Sequence, residues 1–229
     1  MSKTVVIHQP DFIPYLGFFH RLLQADLFII LDDVQFLREG WHHRDKIKTQ
    51  NSAKWHTLKI KKAPLGTTIK DIVLLEDTKW KKDNLNQIKE NYKKAIYFDE
   101  IYPFLEILYS SNDKFLIDVN LKSIEMLNNF FDIKIQTVLS SSFNIDSKAN
   151  ELVVELLQKV NATHYISGVG AKDYFQAEPF NNAEIEVVWQ DFNHPVYPQL
   201  HGEFIPYLSS IDLLFNCGIK KSREILRSI

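Results

Sequence analysis

Cysteine, long apolar runs and excess charge are all scarce in this chain of 229 residues. The single cysteine, Cys217, cannot form a disulfide within the chain, which fits a reducing compartment. No apolar run approaches the length of about 20 residues that spans a bilayer. Only three apolar residues separate the Lys3-Thr4 pair from His8, so a signal-peptide pattern is missing. We therefore expect a cytoplasmic protein that does not insert into a membrane.

A formal net charge of −2 argues against a dedicated nucleic-acid binder, and we expect no nucleic-acid partner. Zinc-type ligand spacing is absent, because the paired His42-His43 has no partner one helical turn away; no protein-ligated metal is predicted. The chain has neither a GxSxG motif, typical of α/β-hydrolases, nor the GxxxxGK[ST] motif of P-loop NTPases. An apolar fraction of 45% still provides for a large core.

The stretch 5–33 organises the predicted fold. Its apolar residues 5–7 predict a buried strand, the apolar residues of 16–23 recur at helical spacing, and 27–31 form a second apolar run. A strand, a helix and a strand in this order form a βαβ unit, which closes onto a parallel sheet by a right-handed crossover. The polar pairs His8-Gln9 and Asp32-Asp33 then follow the carboxyl ends of their strands, the edge at which open α/β sheets bind ligands.

The same α/β rhythm returns later in the chain. Apolar segments at 133–139, 163–166 and 184–189 predict strands, and 147–160 predicts a helix. Between the two α/β blocks, residues 78–130 carry apolar residues at helical spacing. A further strand is expected at 55–61, the segment 69–75 is expected to be another strand or the end of a hairpin, and Gly218 fits a helix stop near the carboxyl end. We predict one α/β domain over 1–229 in which 78–130 is a helical insertion.

Four residues near the first strand are candidates for a site. His8 can act as a general acid or base, and Gln9 can contact a phosphate or a leaving group; the alternative for His8 is a structural hydrogen bond to a backbone carbonyl. Gly17 would let a phosphate approach the backbone N–H groups, although close helix–strand packing also explains a glycine there. Asp33 would bind a divalent metal, a ribose or an amine, or else cap the following turn.

Basic residues supply the next candidates. Arg44 and Lys48 lie in a segment where basic and aromatic residues interleave, which indicates either a phosphate-binding loop or a solvated loop with one packed tryptophan. Small residues after a strand, in Ser167-Gly168-Val169-Gly170-Ala171-Lys172, resemble a phosphate-cradling loop in kind. Within that loop Ser167, Gly168 and Lys172 are assigned to phosphate contact.

The last cluster follows the strand predicted at 184–189. Asp191 and His194 are close enough in sequence to be hydrogen-bonded, and a histidine oriented by a carboxylate is a usable general base. A satisfied loop pair is the alternative. Tyr197 and Gln199 continue the polar segment and are assigned to substrate contact.

Five blocks in order along the chain resemble the WbqC-like protein family: IHQPDFIPYLGFFHRLLQADLFIILDDVQF, WHHRDKIKT, YISGVGAKDYF, VVWQDFNHPVYPQ and LSSIDLLFNCG. Members of this family are associated with gene sets for bacterial surface polysaccharides. The resemblance implies a role in modifying an amino sugar, with aminoacyl transfer of a glycine type as one proposal.

At the level of the fold, the chain also resembles nucleotidylyl-transferase-like enzymes such as pantothenate synthetase, which implies an α/β class with a mostly parallel, Rossmann-like sheet. Those enzymes carry an HxGH motif and activate a carboxylate as an acyl-adenylate. The corresponding residues here are Tyr15-Leu16-Gly17-Phe18, so the glycine is kept and both histidines are replaced. Through this resemblance Tyr15 is assigned to cofactor contact, with ATP as cofactor and Mg²⁺ accompanying it.

Together with the residue patterns, these resemblances imply that the protein is an enzyme. It would be a cytoplasmic, ATP-dependent transferase or ligase that joins a small carboxylic or amino acid to the amine of a nucleotide-linked amino sugar in O-antigen (lipopolysaccharide) biosynthesis. Its catalytic residues would be His8, Asp191 and His194. Two alternatives remain open: a non-catalytic nucleotide-sugar-binding module, and an N-acyltransferase that uses acyl-CoA. The sequence also leaves open whether the chain forms a homodimer.

Overall fold

A computed structural model describes residues 2–229. The elements in chain order are β1 (Thr4–His8), α1 (Leu16–Leu22), β2 (Leu27–Ile30), β3 (Arg44–Lys48), β4 (Ala53–Thr57), α2 (Lys79–Tyr92), α3 (Phe98–Ser110), α4 (Leu116–Phe131), β5 (Gln136–Leu139), α5 (Ala149–Lys159), β6 (His164–Ser167), α6 (Ala177–Asn182), β7 (Glu186–Trp189) and α7 (Ser210–Arg227). Short 3₁₀ helices cover Ile69–Asp71, Ser140–Phe143 and Val169–Tyr174.

Five strands form one parallel sheet in the order β5-β2-β1-β6-β7. The first strand is therefore central: β1 pairs with β2 on one side and with β6 on the other. Both faces of β1 are covered, since Val6 packs in one apolar cluster while Val5 and Ile7 pack in another. A parallel sheet buried on both faces needs strands of continuous apolar character, which is what 5–7 and 27–31 provide. The predicted α/β class with a mostly parallel, Rossmann-like sheet is confirmed.

The helices lie on two sides of this sheet. Helix α1 packs with α2, α3, α4 and α7 around Val6, whereas α5 and α6 pack around Val5 and Ile7. The segment predicted as helical, 78–130, holds α2, α3 and α4, which follow one another with short connections. Their buried residues Ile88, Leu105 and Leu127 belong to the same apolar cluster as β1. This cluster fixes α1, and with it the loop that follows β1.

A two-stranded antiparallel hairpin, β3–β4, stands apart from the main sheet. The strand predicted at 69–75 differs from the structure: Ile69–Asp71 is a 3₁₀ turn, and only isolated bridges at Leu74 and Val73 follow it. Burial of Ile69, Ile72 and Leu74 explains the apolar spacing that resembled a strand. Within residues 2–229 no helix combines the length and the apolar character needed to cross a membrane.

Helix α7 contains the helix stop predicted at Gly218. Its backbone there has φ 74° and ψ 168°, which is not helical, and the residues on either side continue as two helical segments joined by a kink. A Cβ at this position would lie 2.6 Å from the Tyr97 ring. Both the positive φ and the close ring favour glycine, because it has no Cβ.

Candidate functional site

The carboxyl ends of β1 and β6 meet at the centre of the sheet, where Val6 lies opposite Ile166. From β1 the chain proceeds to β2 on one side, and from β5 it crosses back to β6 on the other side. This reversal of strand order is the topological switch point at which open α/β sheets leave a crevice. A cleft of about 840 Å³ opens there, lined from both strand ends by His8, Gln9, Ser167 and Gly168. We call it the switch-point cleft.

Five of the residues singled out from the sequence line this cleft: His8, Gln9, Tyr15, Ser167 and Gly168. The other nine do not line it: Gly17, Asp33, Arg44, Lys48, Lys172, Asp191, His194, Tyr197 and Gln199. The structure thus brings together the two strand-to-helix corners, near the start of the chain and past its middle. Of the cluster after β7, only Gln190 lines the cleft, and Asp191, His194, Tyr197 and Gln199 lie elsewhere.

His8 stands at the end of β1 with its ring facing the cleft. Its Nδ1 donates a hydrogen bond to the Gln9 carbonyl oxygen at 2.8 Å. A carbonyl only accepts, so the neutral ring carries its proton on Nδ1 and its lone pair on Nε2. Nε2 makes no hydrogen bond with residues 2–229, and the side chain is 30% exposed. An unoccupied lone pair in a cleft can accept a proton from a bound molecule.

The surroundings of His8 keep its ring neutral. Burial, and to a smaller extent the Arg21 guanidinium, lower the pKa of His8 from 6.5 to about 4, against the opposing effect of Asp11. The Asp11 Oδ2 atom lies 3.7 Å from the His8 Nδ1 atom, too far for a hydrogen bond. The imidazole is therefore a proton acceptor at neutral pH.

Arg21 is the cation of the cleft, and sequence reasoning missed it. It lies on α1, is only 5% exposed, and lines the cleft. Within residues 2–229 its side chain has no ion pair, and its buried Nε has no hydrogen-bond partner. No other lysine or arginine in the described part of the chain lines the cleft. All seven residues of α1 are buried in the structure, so the helix has no polar face for an arginine to occupy, and the sequence carries no signal of this burial.

The acidic residues of the cleft are Asp11 and Asp45. The Asp11 Oδ1 atom lies 3.5 Å from Nδ1 of His42, a buried histidine whose two ring nitrogens have no hydrogen-bond partner in residues 2–229. Burial raises the pKa of the Asp45 carboxyl well above its usual value, and the Lys46 N–H that donates to it at 2.6 Å acts in the opposite direction. The described residues 2–229 contain no group of three or more His, Cys, Asp or Glu side chains placed to hold a metal ion.

Two tryptophans with exposed faces lie beside the cleft. Trp41 lines it, and the Trp41 and Trp55 ring centroids are 5.1 Å apart. Arg44 stacks over the Trp55 ring at 4.2 Å and donates to the Gly40 and Glu39 carbonyl oxygens at 3.3 and 2.6 Å. These hydrogen bonds and the stacking show that Arg44 supports the loop at Glu39 and Gly40, which precedes β3. Its predicted phosphate contact stays a prediction.

Lys48, Tyr197 and Gln199 belong to a separate buried cluster around Asp212. The Tyr92 and Tyr197 hydroxyls donate to the Asp212 carboxylate at 2.7 and 3.0 Å, and Lys48 Nζ donates to the Gln199 Oε1 atom at 3.0 Å. Burial raises the pKa of Asp212 and lowers that of the Lys48 amine. These contacts fasten the segment after β7 onto α7 and the hairpin.

The remaining predicted residues also make local contacts. Asp33 accepts a hydrogen bond from the Ser140 hydroxyl, and the Lys172 amine lies 5.4 Å from the centre of the Trp189 ring. His194 donates from Nδ1 to the Pro195 carbonyl at 2.9 Å, and no hydrogen bond joins it to Asp191 in the described residues. Both residues line a second depression of about 990 Å³ between the ends of α1, β7 and α7.

Gly17 has a packing role that the sequence left open. A Cβ at this position would overlap the Tyr15 ring, and the Gly17 carbonyl accepts a hydrogen bond from Gln190 Nε2 at 2.8 Å. The glycine therefore lets the Tyr15 ring turn toward the cleft. Burial raises the pKa of the Tyr15 hydroxyl above 10, which keeps it protonated at neutral pH.

The parallel sheet, its strand order and helices on both faces define a Rossmann-like α/β protein. The model of the WbqC-like protein family matches residues 9–224, and the chain belongs to this family. The chain is 31% identical over 219 residues to "Uncharacterized protein Rv1507c" of Mycobacterium tuberculosis (strain ATCC 25618 / H37Rv), and the alignment covers 94% of each chain. No solved structure matches the chain significantly. The resemblance to the WbqC-like family is thus confirmed.

Proposed function

We propose that the switch-point cleft is the active site of an amide-forming transferase or ligase. The enzyme joins a small carboxylic or amino acid, of glycine type, to the amine of a nucleotide-linked amino sugar for surface polysaccharide such as O-antigen. The amino-sugar and polysaccharide context comes from the resemblance of the sequence blocks to the WbqC-like family. The observation that carries the proposal is His8, whose free Nε2 lone pair faces a cleft of ligand size.

The reaction needs one group that accepts a proton next to the attacking amine of the sugar. The amine nitrogen attacks the carbon of an activated carboxyl group, the new C–N bond forms, and the bond to the leaving oxygen breaks. His8 Nε2 takes the proton that the nitrogen loses, and the leaving group departs with the bonding electron pair as an oxyanion. A pKa of about 4 keeps the Nε2 lone pair free over the whole neutral range and also makes the ring a weaker base than a histidine of ordinary pKa.

ATP is proposed as the activator of the carboxyl group. It would supply the adenylate type of activation used by nucleotidylyl-transferase-like enzymes, with Mg²⁺ neutralising its phosphates. In the cleft Arg21 offers positive charge, and Tyr15 stands where the first HxGH histidine would be. The second histidine position is Phe18, which is buried and packs edge-on against the His8 ring with centroids 5.3 Å apart. The proton acceptor in this chain therefore comes from the end of β1 and not from that motif.

The test is a product assay with purified full-length protein. ATP, glycine and a UDP-linked amino sugar are incubated together, and mass spectrometry monitors the amide product alongside AMP or ADP. We expect product only when all three are present. Product formed from glycyl-CoA in the absence of ATP would show that an acyl-CoA, and not ATP, supplies the activated carboxyl group. Nucleotide-sugar binding without product, across a panel of small acids and acyl-CoA donors, would establish the binding module and reject the enzyme.

The variant that tests the role of His8 is His8→Gln. We expect kcat to fall on the order of 100-fold or more, the usual contribution of a general base. His164→Gln is the matched control, because His164 begins β6 at the opposite end of the same strand pair and contacts Glu186 on the surface. Equal activity of the two variants would show that His8 is not the base.

A further inference from the structure

The guanidinium of Arg21 is a buried charge without a partner. No Asp or Glu carboxylate of residues 2–229 forms an ion pair with it, and its Nε is buried without a hydrogen bond. Most buried charges in proteins are paired, since taking an ion out of water costs several kcal/mol. Arg21 lines the cleft, its Nη1 atom lies against Gly168 of the same lining, and neither terminal nitrogen makes a hydrogen bond to the described residues. The missing counter-charge therefore has its place in the cleft.

Gly168 creates the room for this guanidinium. Its backbone has φ −71° and ψ 147°, which any residue adopts, so the glycine is not needed for its conformation. A Cβ at position 168 would overlap Nη1 of Arg21. The absence of a side chain lets the loop after β6 lie directly on the guanidinium. Charge from α1 and backbone from the β6 loop thus meet at the switch point.

We propose that Arg21, seated beneath Gly168, binds a phosphate group of the small molecule that occupies the switch-point cleft. The planar guanidinium offers parallel N–H donors that match two oxygens of one phosphate. The cleft volume of about 840 Å³ suits a ligand of nucleotide size. Asp11 lines another part of the same cleft and disfavours a second anion near it. This inference rests on the proposed function only in that both use the same cleft.

Direct binding, without any turnover, tests the proposal. UDP, AMP and inorganic pyrophosphate are titrated into the wild type and into Arg21→Met by calorimetry. We expect at least one of the three to bind the wild type and to lose on the order of 10- to 100-fold in affinity in the variant, the usual worth of charged hydrogen bonds. Arg38→Met is the control, because Arg38 is exposed and lies outside the cleft lining.

The melting temperature of the ligand-free protein distinguishes a ligand-binding arginine from a structural one, because the two predict shifts of opposite sign. Methionine keeps most of the apolar packing of the side chain but removes the unpaired charge, so the ligand-free Arg21→Met protein should melt several degrees higher than the wild type. A structural arginine would give a lower melting temperature. A lower value, or unchanged affinity for the phosphate compounds, would overturn the proposal.

Gly168→Ala tests the same site without changing its charge. The new Cβ displaces the guanidinium, so the affinity for the phosphate compound should fall by about as much as in Arg21→Met. In the Arg21→Met background the same substitution should have no further effect, because the two residues act as one unit. Additive losses would contradict the proposal.

Binding by carboxylates only, measured with glycine and acetate, would also contradict the proposal. Phosphate binding without amide product would leave the proposal standing and reject only the proposed reaction.

Discussion

At the level of single residues, the proposed reaction depends on His8, because its pKa sets the pH range in which it can act as a base. The lowered value of about 4 leaves the ring unprotonated at pH 5.5, whereas an ordinary histidine with a pKa of 6.5 would be mostly protonated there. We predict that kcat/KM, which reports the free enzyme, stays within about twofold between pH 7.5 and 5.5 once the protonated fraction of the amine substrate is corrected for. A falling limb centred near pH 6.5 would show that the ring is not held neutral in this way.

Sequence reasoning singled out His8 and did not single out Arg21, although the structure places both in the cleft lining. His8 directly follows the apolar run 5–7, so these three residues alone predict both the strand and the position at which it ends. Arg21 lies in an amphipathic-looking stretch where charge ordinarily faces water. Its burial depends on α4 and α7 covering the rest of α1, contacts between segments about 100 to 200 residues apart. Local periodicity carries no information on such contacts.

Among the elements, α7 depends most clearly on one residue, the glycine at its kink. Gly218→Ala places a Cβ at a φ of 74° and 2.6 Å from the Tyr97 ring, so we predict a loss on the order of 2–4 kcal/mol in the free energy of unfolding. Gly66→Ala is the matched control, because its φ is 89° but no atom lies within 4 Å of the new Cβ. Urea unfolding should give the smaller loss for Gly66→Ala. Equal losses would mean that backbone strain alone, without the ring contact, explains the kink.

Helices and strands with a strong local apolar pattern were predictable from the sequence. Segments whose structure depends on contacts with distant parts of the chain were not. The strands β1, β2, β5, β6 and β7 and the helices α2 to α5 all lie at predicted segments and extend beyond them by one residue at most at either end. The segment 69–75 has the apolar content of a strand, but it receives only isolated bridges from Ile60 and Phe115. The Asp191–His194 pair was predicted from sequence proximity alone, and in the structure the His194 Nδ1 atom donates to the Pro195 carbonyl oxygen instead.

Across the whole molecule, buried histidines make stability depend on pH. The pKa values of His8, His43 and His56 are each lowered from 6.5 to about 4, in every case chiefly by burial. The unfolded chain therefore binds more protons than the folded one between these two values. Stability from this source is complete above pH 6.5 and is lost as the pH falls from 6.5 toward 4.

His56 is the best residue for testing this dependence, since it is fully buried between Gln87 and Tyr109. A shift of this size corresponds to about 2 kcal/mol less stability at pH 5 than at pH 7. His56→Gln cannot titrate, so urea unfolding at the two pH values should show a difference smaller by about that amount. The same difference in wild type and variant would contradict the assignment.

The central position of the first strand also has a consequence for how the molecule is made. One edge of β1 is completed by β6, which begins about 160 residues later. On a ribosome that adds 5–20 residues per second, the nascent chain carries that open edge for roughly 10 to 30 seconds. Unpaired edges of apolar strands recruit other chains during such an interval. Newly synthesised copies are thus natural clients for chaperones until the last third of the polypeptide has emerged.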